Sequence, residues 1–335
     1  MYEKLGDVTL KNGEEVELGV VKGPDADWAG RIDDDLLAHK GPTWRWGNRI
    51  ALEVDLNWDA LFYILHRGGV PFSNVMTIEF DGVGILGHVY TKPQDRRQGA
   101  ASEIFTGLMA DFEKRNGRAL ILGTGYDSPP YHIYRSFGFD GLEPKSGLMA
   151  FYRPSEDVFR KDYFKAGDVV VERLAPEHYP GMPVLFSGAF GRVVRSVGSM
   201  RLFGLGSSEG PLIPLLKDEL ERLEEGKAIR TSVAHVKETS SVVGVATIDR
   251  DPVWPGTCVV DVFCHPEFWT HAGALLDQIT WPDAHRYVAY CDVGWQEKET
   301  ALGEAGFERE ATLKHWVSVD RAATDFVDVN LWVKR

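Results

Sequence analysis

Residues 83–112 read as a strand, a tight basic turn and a helix in direct succession. Residues 83–91 are rich in apolar and β-favouring side chains, and Pro93 then ends the ladder because it has no N–H to donate. After the turn, apolar residues recur at helical spacing and predict one buried helix face: Ile104, Phe105, Leu108, Met109 and Phe112. Residues 74–80 and the Asp81-Gly82 turn predict a hairpin partner for the strand. This order predicts an α/β fold.

The turn between strand and helix, residues 96–102, has the composition of an anion site. Gly99 permits a backbone shape that most residues resist, and the two alanines that follow it keep side chains small. N–H groups are exposed at the start of the helix, and Arg96 and Arg97 lie beside them. Such a turn predicts a site for a phosphate or a pyrophosphate.

Two short motifs connect this turn with a known family. Arg96, Gly99 and Ala101 form the pattern R-x-x-G-x-A, and residues 134–139 form Y-x-x-x-G-F. A strand-like run, residues 119–122, lies between them. In this order the motifs resemble the acyl-CoA-binding turn and the tyrosine segment of the GNAT acetyltransferases. The alternative interpretation is an ordinary strand–helix turn followed by an unrelated aromatic helix.

The resemblance implies a set of site residues. Acetyl-CoA would be the co-substrate, and a backbone N–H near residues 89–91 would polarise its thioester carbonyl. Tyr134 falls at the position of the family's general acid, whereas a core tyrosine is the alternative role. The general base stays open among Glu79, His88 and Asp127. The residues expected to bind the donor are Val89, Tyr90, Thr91, Arg96, Arg97, Gln98, Gly99, Ala100, Ala101 and Ser102.

The implied activity is transfer of an acetyl or short acyl group from acyl-CoA to an amine, expected to be that of a small molecule. Two other classes stay open: a non-catalytic acyl-CoA-binding or sensing protein, and a scaffold built from GNAT-like domains. No metal is expected, because His88 and His132 have no ligand partner at a recognisable spacing. Cys258, Cys264 and His265 do not fit the usual zinc spacings and are expected in the core.

Charge and cysteine usage exclude several classes of partner. The chain of 335 residues carries a net charge of −13, which argues against a nucleic acid or an anionic membrane as partner. Its polar N-terminal stretch does not resemble a signal peptide, and no run is long enough for a membrane span. Three cysteines give no disulfide framework, which favours a reducing, cytoplasmic location. A homodimer is compatible with these properties.

The pattern of the first half restarts after a polar connector. We expect a catalytic GNAT-like domain at residues 1–153, a linker at 154–168 and a degenerate copy at 169–335, each with a mixed, mostly antiparallel sheet flanked by helices. When the halves are aligned by their Pro and Gly-Phe residues, Trp269 replaces Arg96 and Ala272 replaces Gly99. Likewise, Leu302 replaces Tyr134. The second copy is therefore expected to have a structural or acceptor-shaping role.

Two further patterns have ordinary explanations. The tryptophans Trp44, Trp46 and Trp58 favour core packing over an acceptor pocket. Residues 206–210 match G-x-S-x-G, but a nucleophile elbow needs a strand before the serine and a helix after it. The surrounding composition is that of a loop, so chance is the better explanation.

Overall fold

A computed structural model describes residues 1–190, 192–198, 200–203, 210–319 and 324–335. The G-x-S-x-G pattern lies largely outside the described residues. The chain forms two compact units, Met1–Lys161 and Asp162–Arg335. Among the described helices, none is long and apolar enough to cross a membrane.

The first unit is built on one mixed sheet in the order β1-β2-β3-β4-β5-β6-β8-β7. Its strands are β1 Tyr2–Thr9, β2 Glu15–Lys22, β3 Asp59–Arg67, β4 Val70–Phe80, β5 Val83–Thr91, β6 Ala119–Gly123, β7 Asp140–Gly141 and β8 Leu148–Tyr152. Neighbouring strands are antiparallel except for β5 and β6, which are parallel. The predicted hairpin of β4 and β5 is therefore confirmed.

Helices of the first unit are α1 Ala26–Ala29, α2 Pro42–Glu53, α3 Ala100–Lys114, α4 Pro129–Ser136 and α5 Glu156–Tyr163, with a π-helix at Gly30–Leu36 and a 3-10 turn at Pro93–Asp95. Of the predicted apolar face of α3, Met109 is half-buried and the other four side chains are fully buried. They pack on β3, β4 and β5. The predicted linker, residues 154–168, contains α5, which begins two residues after Pro154.

The second unit repeats this sheet. Its strands are β9 Val169–Arg173, β10 Val194–Ser196, β11 Leu202–Phe203, β12 Thr231–Val236, β13 Ser241–Arg250, β14 Thr257–Cys264, β15 Arg286–Asp292, β16 Glu308–Ser318 and β17 Phe326–Lys334. The sheet order β9-β12-β13-β14-β15-β17-β16 repeats β2-β3-β4-β5-β6-β8-β7, and β14 and β15 form its parallel pair. β10 and β11 pair separately. Cys258 and Cys264 lie buried in β14, as predicted.

Helices of the second unit are α6 Met182–Phe186, α7 Leu212–Glu224, α8 Ala272–Gln278 and α9 Gln296–Glu304, with 3-10 turns at Pro176–His178 and Pro266–His271. α8 follows β14 as α3 follows β5, and it packs on β12, β13 and β14. α9 follows β15 as α4 follows β6. The fold class predicted from the sequence, two successive α/β units with mixed sheets and flanking helices, is confirmed.

Candidate active site

A β-bulge interrupts the pairing of β4 with β5. Met76 pairs with Gly87 and Asn74 with Tyr90, so that His88 and Val89 both face the single residue between Asn74 and Met76. His88 has a φ of 53°, a left-handed conformation that is uncommon outside glycine but is enriched in histidine. The Nδ2 of the buried Asn74 donates to the His88 carbonyl at 3.0 Å. The bulge redirects the last residues of β5 and is held in place by this amide.

β5 and β6 separate soon after they begin. Their parallel pairing runs from Val83 opposite Ala119 to Ile85 opposite Ile121. β5 then continues to Thr91, whereas β6 ends at Gly123. Among the described residues, the end of β5 thus has no strand partner on its β6 side, and a cavity opens there.

The basic turn follows β5 with the backbone that the sequence predicts. Gly99 is the N-cap of α3 and has a φ of 87°, which a residue with a side chain rarely adopts. Arg97 is also left-handed, with a φ of 64°. The Nε of Arg96 donates to the Thr91 carbonyl at 3.0 Å, and its guanidinium lies over the Tyr90 ring. These contacts join the end of β5 to the start of α3.

A cavity of about 510 Å³ lies between the end of β5, the basic turn and α4. All the predicted donor-binding residues line it except Gln98, whose carbonyl accepts the Lys11 N–H at 3.0 Å. The other lining residues are Lys11, Asp95, Phe105, Pro129, Pro130, Ile133 and Tyr134. Its volume is within the usual range for a small-molecule or cofactor site.

Tyr134 reaches this cavity from α4. Pro129 and Pro130 occupy the first turn of that helix, where missing N–H groups cost little, and Ser128 caps it. The Tyr134 side chain is buried and packs on Phe105, with ring centroids 5.3 Å apart. The structure therefore brings together the turn and the tyrosine of the two motifs.

Glu79 lies away from the cavity, at the other end of the hairpin. It pairs with Gly84 of β5, five residues before Val89, and five strand residues span about 16 Å. Its carboxylate is buried and accepts from the two terminal nitrogens of the Arg115 guanidinium at 2.7 and 3.1 Å. Thr77 also donates to it at 2.6 Å. This carboxylate has the contacts of a buried structural ion pair.

The other two base candidates differ in burial. Asp127 is exposed in the loop before α4 and lies 3.0 Å from the His132 imidazole. His88 is buried at the bulge, and Trp44 of α2 packs edge-on against it at 5.5 Å between ring centroids. Its Nδ1 has no hydrogen-bond partner among the described residues. Burial lowers the pKa of His88 to about 3, helped by Lys40 and His39 nearby, so the ring is neutral.

This low pKa predicts a pH dependence of stability. An unfolded histidine titrates near pH 6.5, so below that pH the unfolded state binds a proton that His88 does not. Between pH 6.5 and 4.5 this should remove about 2–3 kcal/mol of stability. His88→Gln should therefore lose less stability than the wild type on acidification, as measured by urea titration of the full chain at both pH values. Equal losses would contradict the assignment, since all other titratable groups are common to both proteins.

The corresponding part of the second unit is built differently. β13 and β14 pair in continuous register from Gly244–Cys264 to Arg250–Cys258, so the bulge is absent. Asp261 stands five residues before Pro266, as His88 stands five residues before Pro93. Its buried Oδ2 accepts N–H groups of Val197 and Gly198 at 2.7 and 2.8 Å.

Two more side chains hold the same segment. Asp292, at the end of β15, accepts the N–H groups of Val193 and Val194. The buried Lys298 of α9 donates to the Val194 carbonyl at 3.2 Å and lies 3.7 Å from Oδ1 of Asp261. The unit's own residues 193–198 thus lie against both β14 and β15. In the first unit His88, which stands at the position of Asp261, is contacted by Trp44 of α2.

One group of three side chains in the second unit has metal-like spacing. Glu172, His178 and His235 each offer a ligand atom, and these atoms lie within 4.8 Å of one another. However, Nδ1 of His178 accepts the Ala175 N–H at 3.0 Å. A neutral ring then carries its proton on Nε2, the nitrogen that faces Glu172. Nε2 of His235 is hydrogen-bonded to the Glu172 carboxylate at 3.0 Å, whereas Nε2 of His178 has no hydrogen-bond partner among the described residues.

Comparisons with known proteins agree at the level of fold. No protein-family model matches the sequence, and no curated protein gives a significant match. Among solved structures, a GNAT-family acetyltransferase from Bacillus anthracis is 12% identical, with 51% of this chain and 96% of that chain covered and a TM-score of 0.34. A ribosomal-protein-alanine N-acetyltransferase from Brucella melitensis is 14% identical, with 49% and 98% covered and a TM-score of 0.36.

A third solved structure is a putative acetyltransferase from Salmonella typhimurium with its cofactor acetyl-CoA. It is 14% identical, with 50% of this chain and 93% of that chain covered and a TM-score of 0.37. At these identities the likeness concerns the fold alone. The strand order itself repeats within the chain, with one parallel pair after an antiparallel run in each unit. In fold, the chain consists of two successive α/β units that share this strand order.

Proposed function

We propose that the first domain, residues 1–153, transfers an acetyl or short acyl group from acyl-CoA to the amine of a small molecule. The observation that carries this proposal is the single cavity shared by the end of β5, the basic turn and Tyr134. These groups are the donor-binding and acid groups that the two sequence motifs predict. Acetyl-CoA is the proposed donor.

The basic turn would hold the diphosphate of the donor. N–H groups at the start of α3 point along the helix axis and favour an anion, and Arg96 and Arg97 add positive charge. The left-handed Gly99 lets the backbone present these groups without a side chain in the way. The thioester would then extend towards the bulge along residues 89–91.

The reaction needs charge stabilisation and two proton movements. The amine nitrogen attacks the thioester carbon, and a backbone N–H at the bulge near Val89 would stabilise the oxyanion. The C–S bond then breaks, and Tyr134 would protonate the leaving thiolate. A phenol of pKa about 10 can act in this way, and the tyrosinate regains a proton from the acceptor nitrogen through solvent.

Of the three base candidates, the geometry favours His88. It adjoins Val89 directly, is neutral and has an unpartnered Nδ1 among the described residues. Glu79 is committed to Arg115. Asp127, on the loop before α4, is the second candidate. Its low pKa makes His88 a weak base, so in this role the acceptor amine would have to bind in its neutral form.

The test is a screen of small amines with acetyl-CoA and the full chain, in which release of free thiol is followed. Thiol release that requires an amine, with the acetylated amine as product, supports the proposal. Thermal stabilisation by CoA without turnover on any amine would instead indicate an acyl-CoA-binding or sensing protein. A chain that CoA does not stabilise would fit the scaffold interpretation.

A further inference from the structure

The β1–β2 turn is fixed beside the basic turn. Leu10 lies in the hydrophobic core, and its N–H donates to the Glu14 carbonyl at 2.8 Å. Gly13 donates back to Leu10 at 2.9 Å. The next residue after Leu10, Lys11, donates its backbone N–H to the Gln98 carbonyl at 3.0 Å. Lys11 is therefore held next to Gly99 although 87 residues separate them in the sequence.

The side chain of Lys11 runs along Gly99 to the cavity. Its Cγ and Cε lie 3.7 and 3.6 Å from the point where a Gly99 Cβ would stand, and the residue lines the cavity. These are ordinary contact distances, so glycine is required here by its left-handed backbone and not by the lysine stem. The side chain is exposed, so its ammonium stays in contact with solvent.

Nearby acidic groups do not neutralise Lys11. The carboxylate of Glu14, in the same turn, binds the Arg67 guanidinium at 2.6 and 2.8 Å. Asp95, an acidic residue that lines the cavity, accepts from Arg67 at 2.8 Å. Among the described residues, neither Lys11 nor Arg97 makes an ion pair. Because Arg67 pairs with both carboxylates, Lys11 and Arg97 give this part of the surface a local excess of positive charge.

This excess stands out in a chain with a net charge of −13. Cations now border the turn from two sides, Arg96 and Arg97 from the turn itself and Lys11 from a separate, rigidly held loop. Such an arrangement attracts a ligand with more than one negative charge. A single phosphate at the helix N-terminus could be bound without the additional cation from the β1–β2 turn.

We propose that Lys11 is a specificity-determining residue of the donor site and binds a phosphate group of the acyl-CoA. The inference rests on the proposed function. Two phosphates of the donor have this chemistry, the diphosphate and the 3′-phosphate, and the ammonium of lysine binds either as a point charge. The β1–β2 turn is then part of the donor site.

The test measures acetyl-CoA binding to the full chain by calorimetry for Lys11→Met, which keeps the apolar stem and removes the charge. We expect a loss in affinity of about 5- to 20-fold, the size of one charge-assisted contact. Lys11→Arg should keep most of the affinity. Lys114→Met, at the opposite end of α3, is the matched control and should bind like the wild type.

The same titrations with 3′-dephospho-acetyl-CoA identify the phosphate. If the penalty of Lys11→Met disappears with that ligand, Lys11 binds the 3′-phosphate; if it persists, Lys11 binds the diphosphate. The dependence of affinity on salt should also be weaker in Lys11→Met, because one cation fewer is engaged.

Wild-type affinity in Lys11→Met for both ligands would overturn the inference and leave the proposed function standing. A loss with an unchanged salt dependence would overturn it too, because it would indicate a packing effect. A wild-type chain that binds no acetyl-CoA would overturn the proposed function together with the inference.

Discussion

Replacing Tyr134 with phenylalanine should lower kcat by about 10²–10⁴-fold, the usual contribution of a general acid. The change keeps the ring, which packs on Phe105 and Phe139, and removes only the phenolic proton. The dissociation constant of acetyl-CoA should therefore stay close to the wild-type value. Steady-state kinetics and calorimetry on the full chain measure the two quantities separately.

Tyr131→Phe is the matched control for this experiment. Tyr131 is buried on the same helix but does not line the cavity, so its kcat should stay near that of the wild type. If Tyr134→Phe turns over at the wild-type rate while chemistry limits kcat, Tyr134 has a packing role, and another group protonates the thiolate.

Gly99→Trp should abolish acetyl-CoA binding to the whole chain. At a φ of 87° a side chain strains the backbone, and the indole would fill the cavity next to the Lys11 stem. Because the second unit lacks the bulge and has Trp269 and Ala272 in place of Arg96 and Gly99, no other donor site should take over. Calorimetry should show one molecule of acetyl-CoA bound per wild-type chain and no measurable heat for the variant.

Gly226→Trp is a suitable control for backbone strain. Gly226 also has a positive φ, of 64°, but a Cβ there would meet open space. This variant should keep both affinity and stoichiometry. Wild-type affinity in Gly99→Trp would move the donor site away from the basic turn, and two molecules bound per wild-type chain would assign a donor site to the second unit as well.

The sequence predicted those parts of the site that are local in the chain. The hairpin of β4 and β5, the proline that ends β5, the left-handed Gly99 and the apolar face of α3 all depend on neighbouring residues. The repeat was readable for the same reason, since each unit carries its own succession of strands and turns. Periodicity and turn chemistry are sufficient for such features.

Features that depend on distant partners were not predictable in this way. Lys11 reaches the cavity through one backbone hydrogen bond to a turn far along the chain. Glu79 is of a residue type that can act as a catalytic base. Its carboxylate is instead bound by Arg115, 36 residues later in the sequence. No turn residue stands at the left-handed position of the bulge, His88, to mark it in the sequence. The histidine adopts the left-handed conformation there under the constraint of the surrounding sheet.

Residues 193–198 also bear on how the two halves of the chain have diverged. Changing Trp269 to arginine and Ala272 to glycine would restore the R-x-x-G-x-A motif in the second unit. It would not restore the bulge, because β13 and β14 pair in continuous register and three buried side chains, Asp261, Asp292 and Lys298, hold residues 193–198 against β14 and β15. Removing the segment alone would deprive two buried carboxylates of their N–H donors and Lys298 of its carbonyl acceptor. Recovery of a donor site therefore requires several substitutions together, because chains that carry only some of them would be unstable. The divergence of the second unit is thus difficult to reverse by single substitutions.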